Sequence, residues 1–328
     1  MIIIISEPAD VHAQAVIGEL KAIGVSDVRI FNFQDFPMKM SVTMKLGNTD
    51  RSDFVLKFPD GRSVPMDEVT AVWWRRPQAF GLPQKMEPNA RHFSMQETAT
   101  AFQGMWQSTS PLWVNNILRD AAASHKPWQL ELARQLGLRI PDTLITNDPG
   151  EARKFWAKYP GHVVYKCFVE TYHSWRETRI LKPEEQAFAG SIRLAPVIFQ
   201  EYIPAGLDLR ITAIGPQLLA TEADSQKSEY QIDVRLNNDI KYHPHQLPKD
   251  VEAKLLKMMR VMGLEYGAID MRVTPQGEYV FLEVNPAGQF LYIEYAAKIP
   301  IARTLAAHLA RGVETPHEAA EQRRYAYA

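Results

Sequence analysis

Near the C-terminus of this 328-residue chain, two carboxylates and an amide interrupt otherwise apolar runs. Gly267-Ala268-Ile269-Asp270-Met271-Arg272-Val273 carries Asp270, and Tyr279-Val280-Phe281-Leu282-Glu283-Val284-Asn285-Pro286 carries Glu283 and Asn285. Strand side chains alternate between faces, so Glu283 and Asn285 should point one way with Val280, Leu282 and Val284 packed behind them. Asp270 should likewise oppose Ile269, Met271 and Val273. Between the runs, Thr274-Pro275-Gln276-Gly277 has hairpin chemistry, because proline presets one turn angle and glycine permits positive φ. A hairpin would bring the three polar groups together. Oxygen-only donors of this kind suit a hard cation such as Mg²⁺, which shares phosphate oxygens. The competing reading leaves Glu283 and Asn285 facing solvent on a one-sided sheet.

Other residues could also do chemistry. Ser124-His125-Lys126-Pro127 opens a helix that runs through Trp128, Leu132 and Leu136 to Gly137, with proline in the first turn and glycine past the end. Lys126 then stands at a helix N-terminus, where backbone N–H groups already favour an anion, or it is simply a surface lysine. Lys166 lies in the apolar run Val163-Val164-Tyr165-Lys166-Cys167-Phe168, where a buried charge needs a partner or a ligand. Cys167 should point to the opposite face as an inert core thiol. Val72-Trp73-Trp74-Arg75-Arg76-Pro77 reads either as a grip for an anion or as an edge strand with solvated arginines. His243-Pro244-His245 reads as an exposed loop rather than a metal site, and the methionines of residues 251–262 as core packing.

The elements that must position these groups begin with a buried strand, Ile2 to Ile5. Asp10 is a fair N-cap for a helix carrying Val11, Val16, Leu20 and Ile23 up to Gly24, and strand resumes at Val28 to Phe31. This βαβ start predicts an open α/β sheet, while Ser6-Glu7-Pro8-Ala9 lacks a glycine-rich phosphate loop. Residues 40–72 read as short strands and turns, with Asp60-Gly61 a hairpin signal. A helix follows Asn147-Asp148-Pro149. Later strands cover Val197-Ile198-Phe199-Gln200-Glu201-Tyr202-Ile203 and Asp208-Leu209-Arg210-Ile211-Thr212, and an amphipathic helix with Val251, Leu255, Met258 and Met262 ends at Gly263. The predicted division is 1–114, 115–196, 197–314 and a polar tail, 315–328.

Composition bounds the function classes. The net charge of −1 gives no strongly basic footprint for nucleic acid. No apolar stretch reaches the roughly 18 residues of a membrane span. The start Met1-Ile2-Ile3-Ile4-Ile5-Ser6-Glu7 lacks the basic opening of a secretory signal, and the single cysteine excludes an intramolecular disulfide. A cytoplasmic location is expected.

Taken in order, Lys126, Lys166, Gln200-Glu201-Tyr202-Ile203, Asp208, Arg210, Arg235, Asp270, Glu283 and Asn285 resemble the ATP-grasp superfamily over nearly the whole chain. The resemblance is closest to the microviridin-type, or graspetide, peptide macrocyclases. It is carried by Val72-Trp73-Trp74-Arg75-Arg76-Pro77, Gln135-Leu136-Gly137-Leu138-Arg139-Ile140-Pro141-Asp142-Thr143-Leu144, Leu209-Arg210-Ile211-Thr212, Tyr266-Gly267-Ala268-Ile269-Asp270-Met271 and Phe281-Leu282-Glu283-Val284-Asn285-Pro286-Ala287-Gly288-Gln289-Phe290. In the related ribosomal-protein glutamate ligases, two serines and a proline typically follow the asparagine, so Pro286-Ala287-Gly288-Gln289 favours the macrocyclase branch.

The resemblance implies an α/β protein in which two α+β lobes hold ATP between their sheets, behind an N-terminal α/β pre-ATP-grasp domain. Lys126 and Lys166 would contact the α- and β-phosphates. Gln200, Glu201, Tyr202 and Ile203 would form the adenine side, and Asp208 would hold the ribose. Glu283 would bridge two Mg²⁺ ions, completed by Asp270 and Asn285. Arg210 and Arg235 would stabilise the anionic intermediate of acyl transfer. The implied partner is a ribosomally made precursor peptide with a leader segment, and the implied assembly a homodimer. Two departures stand out: Val234 replaces a usual tryptophan in Asp233-Val234-Arg235, near Ser225-Gln226, and the loop Thr171-Tyr172-His173-Ser174-Trp175-Arg176-Glu177-Thr178 contains no glycine. Three readings remain: a peptide macrocyclase forming ω-ester or ω-amide links, a ligase for a free amino acid or small carboxylate, and a non-catalytic ATP- or peptide-binding module. The intact lysine, carboxylate and asparagine set argues against the last.

Overall fold

The computed structural model describes residues 1–48, 53–168, 178–223 and 241–314. The chain forms two compact units. One comprises Met1–Leu118, Gly263–Tyr266 and the chain from Pro300, and the other comprises Arg119–Met262 and Gly267–Ile299.

In the first unit, β1 (Ile2–Ile5), α1 (Val11–Ala22) and β2 (Val28–Phe31) are followed by β3 (Ser41–Lys45), β4 (Asp53–Lys57), β5 (Ser63–Pro65), β6 (Ala71–Trp74), α2 (Pro88–Gln107) and β7 (Leu112–Val114). A parallel sheet has the order β2-β1-β6-β7, and β3-β4-β5 form a separate antiparallel sheet. Four consecutive isoleucines suit β1 because a strand flanked on both sides in a parallel sheet is buried on both faces, and all four are at 0% exposure. Asp10 caps α1 by accepting the His12 amide. The helix buries His12, Ala13, Val16 and Leu20. Val11 and Ile23, expected on that face, are exposed, because the buried stripe advances by fours from His12 and leaves both outside it. Asp60-Gly61 does form the β4–β5 turn, with Gly61 at φ +83°.

Neither reading of the Trp-Trp-Arg-Arg run holds for Arg75. β6 lies between β1 and β7, so it is an interior strand, and Arg75 is buried with its Nε on Asp10 Oδ2 at 3.2 Å. Burial alone would raise the Asp10 carboxyl, but Arg75, Ser6 and the His12 amide together hold it below its ordinary value. Burial, and then the Arg75 charge, push the neighbouring His12 imidazole down to about 4. Beyond this cluster an aromatic core of Phe31, Phe33, Phe102 and Trp106 packs between the sheet and α2.

The second unit follows through α3 (Ile117–Ala123), α4 (Lys126–Gln135), β8 (Thr143–Thr146), α5 (Pro149–Lys158), β9 (Val163–Lys166), β10 (Arg179–Ile180), β11 (Val197–Glu201), β12 (Leu207–Ile214), β13 (Gln217–Ala223), β14 (Tyr242–Pro244), α6 (Lys249–Met262), β15 (Tyr266–Val273), β16 (Tyr279–Asn285) and α7 (Leu291–Ala297). Its two sheets have the orders β10-β9-β11-β8 and β14-β13-β12-β15-β16. The helix-start and helix-stop signals appear as expected. Pro127 and Pro149 stand in first turns, Asp148 caps α5, and Gly137 and Gly263 follow α4 and α6 at positive φ. Val251, Leu255, Met258 and Met262 are all buried, so the methionines of α6 are core residues. Cys167 corrects the expectation of a core thiol: β9 ends at Lys166, and the cysteine beyond it is exposed. The expected exposed histidine loop is instead strand β14. His243 is exposed there, but His245 is held between Glu222 at 2.5 Å and Tyr279 at 2.9 Å. The last helix, α8 (Ile301–Glu314), returns to the first unit and packs on α1 and β6.

Candidate active site

The hairpin predicted at residues 267–285 is present. β15 pairs antiparallel with β16, and Gly277 takes φ +85° in the turn with its amide on Thr274 O. Its register is not regular. Phe281 pairs with Met271, whereas Glu283 pairs with Asp270, so Leu282 is a residue without a partner across the ladder. This bulge places the two carboxylates directly opposite one another; in an unbroken register Leu282 would face Asp270. Bulges near functional sites commonly re-aim a side chain in this way. Leu282, expected to pack behind the site, instead lines the cleft.

Like charges directly opposite on a ladder destabilise it, so the pair requires cations. Lys126 Nζ donates to Glu283 Oε2 at 2.6 Å. Arg210 Nη1 reaches both Asp270 oxygens, at 2.8 and 2.9 Å, and its Nη2 donates to Gln289 O at 3.2 Å. Both cations are placed by buried structure. Gln129, one turn beyond Lys126, pairs both backbone groups of Val284, with its Nε2 on Val284 O at 2.8 Å and Val284 N on its Oε1 at 3.0 Å. It thereby straps α4 along β16. Arg210 occupies an interior strand and is only 9% exposed.

A third ion pair lies alongside. Arg272 Nε donates to Asp208 Oδ1 at 2.8 Å, and its Nη1 donates to Ile203 O at 2.8 Å. The guanidinium also sits 5.5 Å from the Tyr202 ring centroid. Arg272 therefore fixes the segment that follows β11. Within that strand, Gln200 is buried and donates to Thr143 Oγ1 at 2.9 Å, and Glu201 accepts from the Asp142 amide at 3.2 Å.

These groups border a single cleft of about 930 Å³, open mouth included, between the two sheets of the second unit. Of the residues singled out from sequence, Lys166, Gln200, Glu201, Tyr202, Ile203, Asp208, Arg210, Asp270 and Glu283 line it. Lys126 stands behind Glu283. Asn285 is exposed at the end of β16, its Oδ1 accepting the Ala287 amide at 3.0 Å. Arg235, the stretches 225–226 and 233–235, loop residues 171–177 and the tail from Thr315 lie outside the described residues. Thr178, the end of the glycine-free loop noted in the sequence, also lines it, whereas three polar lining residues were given no role from sequence: Tyr242, Arg272 and Tyr292. Arg272 alternates with Asp270 on one strand face and was open to inference, whereas Tyr242 and Tyr292 come from remote elements with no local signal.

Residues 1–121 match the MvdD pre-ATP grasp domain and residues 123–309 the RimK-like ATP-grasp domain. The chain belongs to the RimK-like ATP-grasp family. Its N-terminal domain is of the MvdD pre-ATP-grasp type, and the fold is the α/β ATP-grasp fold expected from sequence. Among solved structures, this ATP-grasp chain is similar to the macrocyclase MdnC of Microcystis aeruginosa MRC bound with precursor peptide MdnA. The two share 32% identity over 94% of this chain and 99% of that one, with a TM-score of 0.84. It is also similar to a Chryseobacterium gregarium RiPP-associated ATP-grasp ligase in complex with ADP and a leader and core peptide, at 26% identity, 94% and 96% coverage and a TM-score of 0.84. The macrocyclase MdnB of Microcystis aeruginosa MRC follows at 28% identity, 94% and 98% coverage and a TM-score of 0.79. No curated protein matches the chain.

ATP-grasp enzymes use ATP and Mg²⁺, and the donors of this cleft fit both. Asp270 and Glu283 are oxygen ligands held in register, and the Asn285 amide oxygen has a second lone pair besides the one on Ala287. Among the described residues no group of three or more His, Cys, Asp or Glu side chains is placed to hold a metal ion, so this set depends on asparagine and on further donors such as phosphate oxygens. Among the described residues no helix is long and apolar enough to cross a membrane.

Proposed function

We propose that this ATP-grasp ligase activates Asp or Glu side chains of a ribosomally made precursor peptide and closes them onto hydroxyl or amine side chains of the same peptide. The observation that carries the reading is the cleft itself, lined by Gln200, Glu201, Tyr202 and Ile203 together with Arg210, Asp270 and Glu283, the last held by Lys126. The similarity to a peptide-bound macrocyclase and to a peptide-bound RiPP-associated ATP-grasp ligase, over almost the full length of each chain, supports the peptide as substrate.

In this reading Gln200, Glu201, Tyr202 and Ile203 hold the adenine, Asp208 the ribose hydroxyls, and Lys126 and Lys166 the phosphates as point charges. A substrate carboxylate oxygen attacks the γ-phosphorus of ATP and the bond to the β-phosphate oxygen breaks, releasing ADP and leaving an acyl phosphate. The hydroxyl or amine of a second side chain then attacks the acyl carbon and loses its proton, and inorganic phosphate departs. The product is an ω-ester or ω-amide. Positioning and charge neutralisation carry phosphoryl transfer, so the protein's task is to hold these groups in line. Arg210, fixed from two sides by Asp270 and Gln289, presents a fork to the anionic intermediate. Arg235 is assigned the same task on the resemblance alone. Asp270, Glu283 and Asn285 are the residues that would hold Mg²⁺, as two ions, which would neutralise and orient the phosphate oxygens. A leader-bearing peptide partner, a homodimer and a cytoplasmic location belong to this proposal; the last two rest on the family resemblance and the sequence.

The test is mass spectrometry of precursor peptides encoded beside the gene, after incubation with protein, ATP and Mg²⁺. Loss of one water per link with matching ADP release supports macrocyclisation. An unmodified peptide, with ADP formed only when a small amine or amino acid is added, replaces it with a small-carboxylate ligase.

A further inference from the structure

Tyr242 and Tyr292 form an aromatic wall at the charged end of the cleft, and the function proposed above leaves both without a role. Tyr242 opens β14, paired with Ala223 of β13, and Tyr292 stands in the first turn of α7. Their rings meet edge to face, with centroids 5.8 Å apart at 74°, a favoured aromatic arrangement that fixes both planes. Tyr242 is half-buried, yet its hydroxyl has no hydrogen-bond partner among the described residues. Tyr279, by contrast, uses its hydroxyl on His245. Tyr242 lines the cleft, so this hydroxyl is available to a ligand bound there. Burial raises the Tyr242 phenol well above its ordinary value, and Tyr292 adds to this. Arg210 pulls the other way, and Asp270 and Asp208 add smaller raising effects. The group therefore stays a neutral donor and lies within the field of the Arg210–Asp270 pair.

The acidic side chains around it already have cations: Asp208 has Arg272, Asp270 has Arg210, and Glu283 has Lys126. An incoming carboxylate at this end meets Arg210 as a shared cation and Tyr242 as an uncommitted donor. Resting on the ligase reading above, we propose that the Tyr242 hydroxyl donates a hydrogen bond to the substrate carboxyl group being activated, making Tyr242 a substrate-binding residue that orients the acyl oxygens beside Arg210.

Tyr242→Phe removes one oxygen and keeps the ring against Tyr292. With the precursor peptide encoded beside the gene as probe, kcat/KM for the peptide should fall about ten- to a hundred-fold, as for loss of a hydrogen bond to a charged group. The KM for ATP and the thermal midpoint should stay at wild-type values. Tyr292→Phe, which leaves the Tyr242 oxygen in place, should retain peptide kcat/KM within about threefold of wild type. An unchanged Tyr242→Phe enzyme overturns the proposal, and so does a variant whose KM rises for ATP rather than for peptide. Equal losses in the two variants also overturn it, because the effect would then not be specific to the Tyr242 hydroxyl. Wild-type enzyme that links no peptide overturns the ligase reading itself and removes the proposal with it; only wild-type turnover lets the variant speak to Tyr242.

Discussion

Gly288 is the smallest residue at the site and the one whose enlargement has the most definite consequence. A Cβ built at Gly288 would lie 2.3 Å from Ala268 Cβ, 2.9 Å from Arg210 Nη2 and 3.4 Å from Asn285 O. Gly288 is not among the glycines at positive φ, so alanine is conformationally permitted and the cost is purely steric. Ala268 cannot retreat, because it sits in β15 paired with Asn285. The turn after β16 must therefore move, or Arg210 must. Overpacking of this kind costs about 1–3 kcal/mol in stability. The same turn supplies Gln289 O, which holds Arg210 Nη2, so a shift loosens the guanidinium from one of its two supports. A displacement of about 1 Å at a reacting site can cost about a hundred-fold in rate. Gly288→Ala should lower kcat/KM for peptide-dependent ADP release by about ten- to a hundred-fold while the protein remains folded. The assay is coupled ADP detection with denaturant unfolding measured in parallel. A double-mutant cycle with Arg210→Ala isolates the route, because a loss transmitted through Arg210 should vanish once Arg210 is gone. Wild-type kcat/KM in Gly288→Ala, with or without a stability change, refutes the reasoning.

Glu283→Gln keeps the shape of the side chain but removes the charge that faces Lys126, so it should abolish ADP formation while circular dichroism stays native; Asn285→Ala, at an exposed strand end, should do the same. Full activity in either variant would remove that residue from the metal set. Acid should weaken the fold through His12, which is neutral at about 4 and above in the folded state but takes up a proton from 6.5 downward when unfolded. The unfolded chain then binds more protons, so stability falls as pH drops from 6.5 to 4, by up to about 3 kcal/mol. Asp10, whose folded carboxyl is lowered, adds a further loss below its ordinary 3.8. Urea midpoints at pH 7.5 and 4.5 measure this, and a His12→Gln protein as pH-sensitive as wild type would contradict it.

Much of the scaffold could be read from local chemistry. The isoleucine run, the Asp10 cap, the helix start at Asn147-Asp148-Pro149, the Pro127 first turn, the Gly137 and Gly263 stops and the Gly277 turn each depend on a few neighbouring residues, and each appears where the sequence puts it. The family order of lysines, acids and asparagine pointed to one cleft, and most of the set lines it. What the sequence hid depends on distant partners. Arg75 looked solvated because nothing near it in sequence shows that Asp10 will neutralise it. Gln129 carries no local signal of its contact with Val284, 155 residues away. The bulge at Leu282 was invisible to an argument from alternation, because strict alternation cannot report an extra residue in one strand.

That bulge also explains how the cleft divides its labour. Of the three ion pairs Arg272–Asp208 is the driest, at 6% and 13%, against 10% and 31% for Arg210–Asp270 and 18% and 23% for Lys126–Glu283. A pair as dry as the first is strongly penalised when one partner is lost, by about 3–5 kcal/mol, and it also pins Ile203 and stacks on Tyr202. It is therefore a structural anchor of the segment that follows β11. The wetter pairs hold the two acids that the bulge has forced to face each other, an arrangement unfavourable in a ladder unless something else uses the concentrated charge. Their cations reach in from α4 and β12, so each of the two facing acids is neutralised from a different element. The driest pair thus anchors its segment of the fold, while the skipped residue Leu282 brings the acids of the other two pairs face to face.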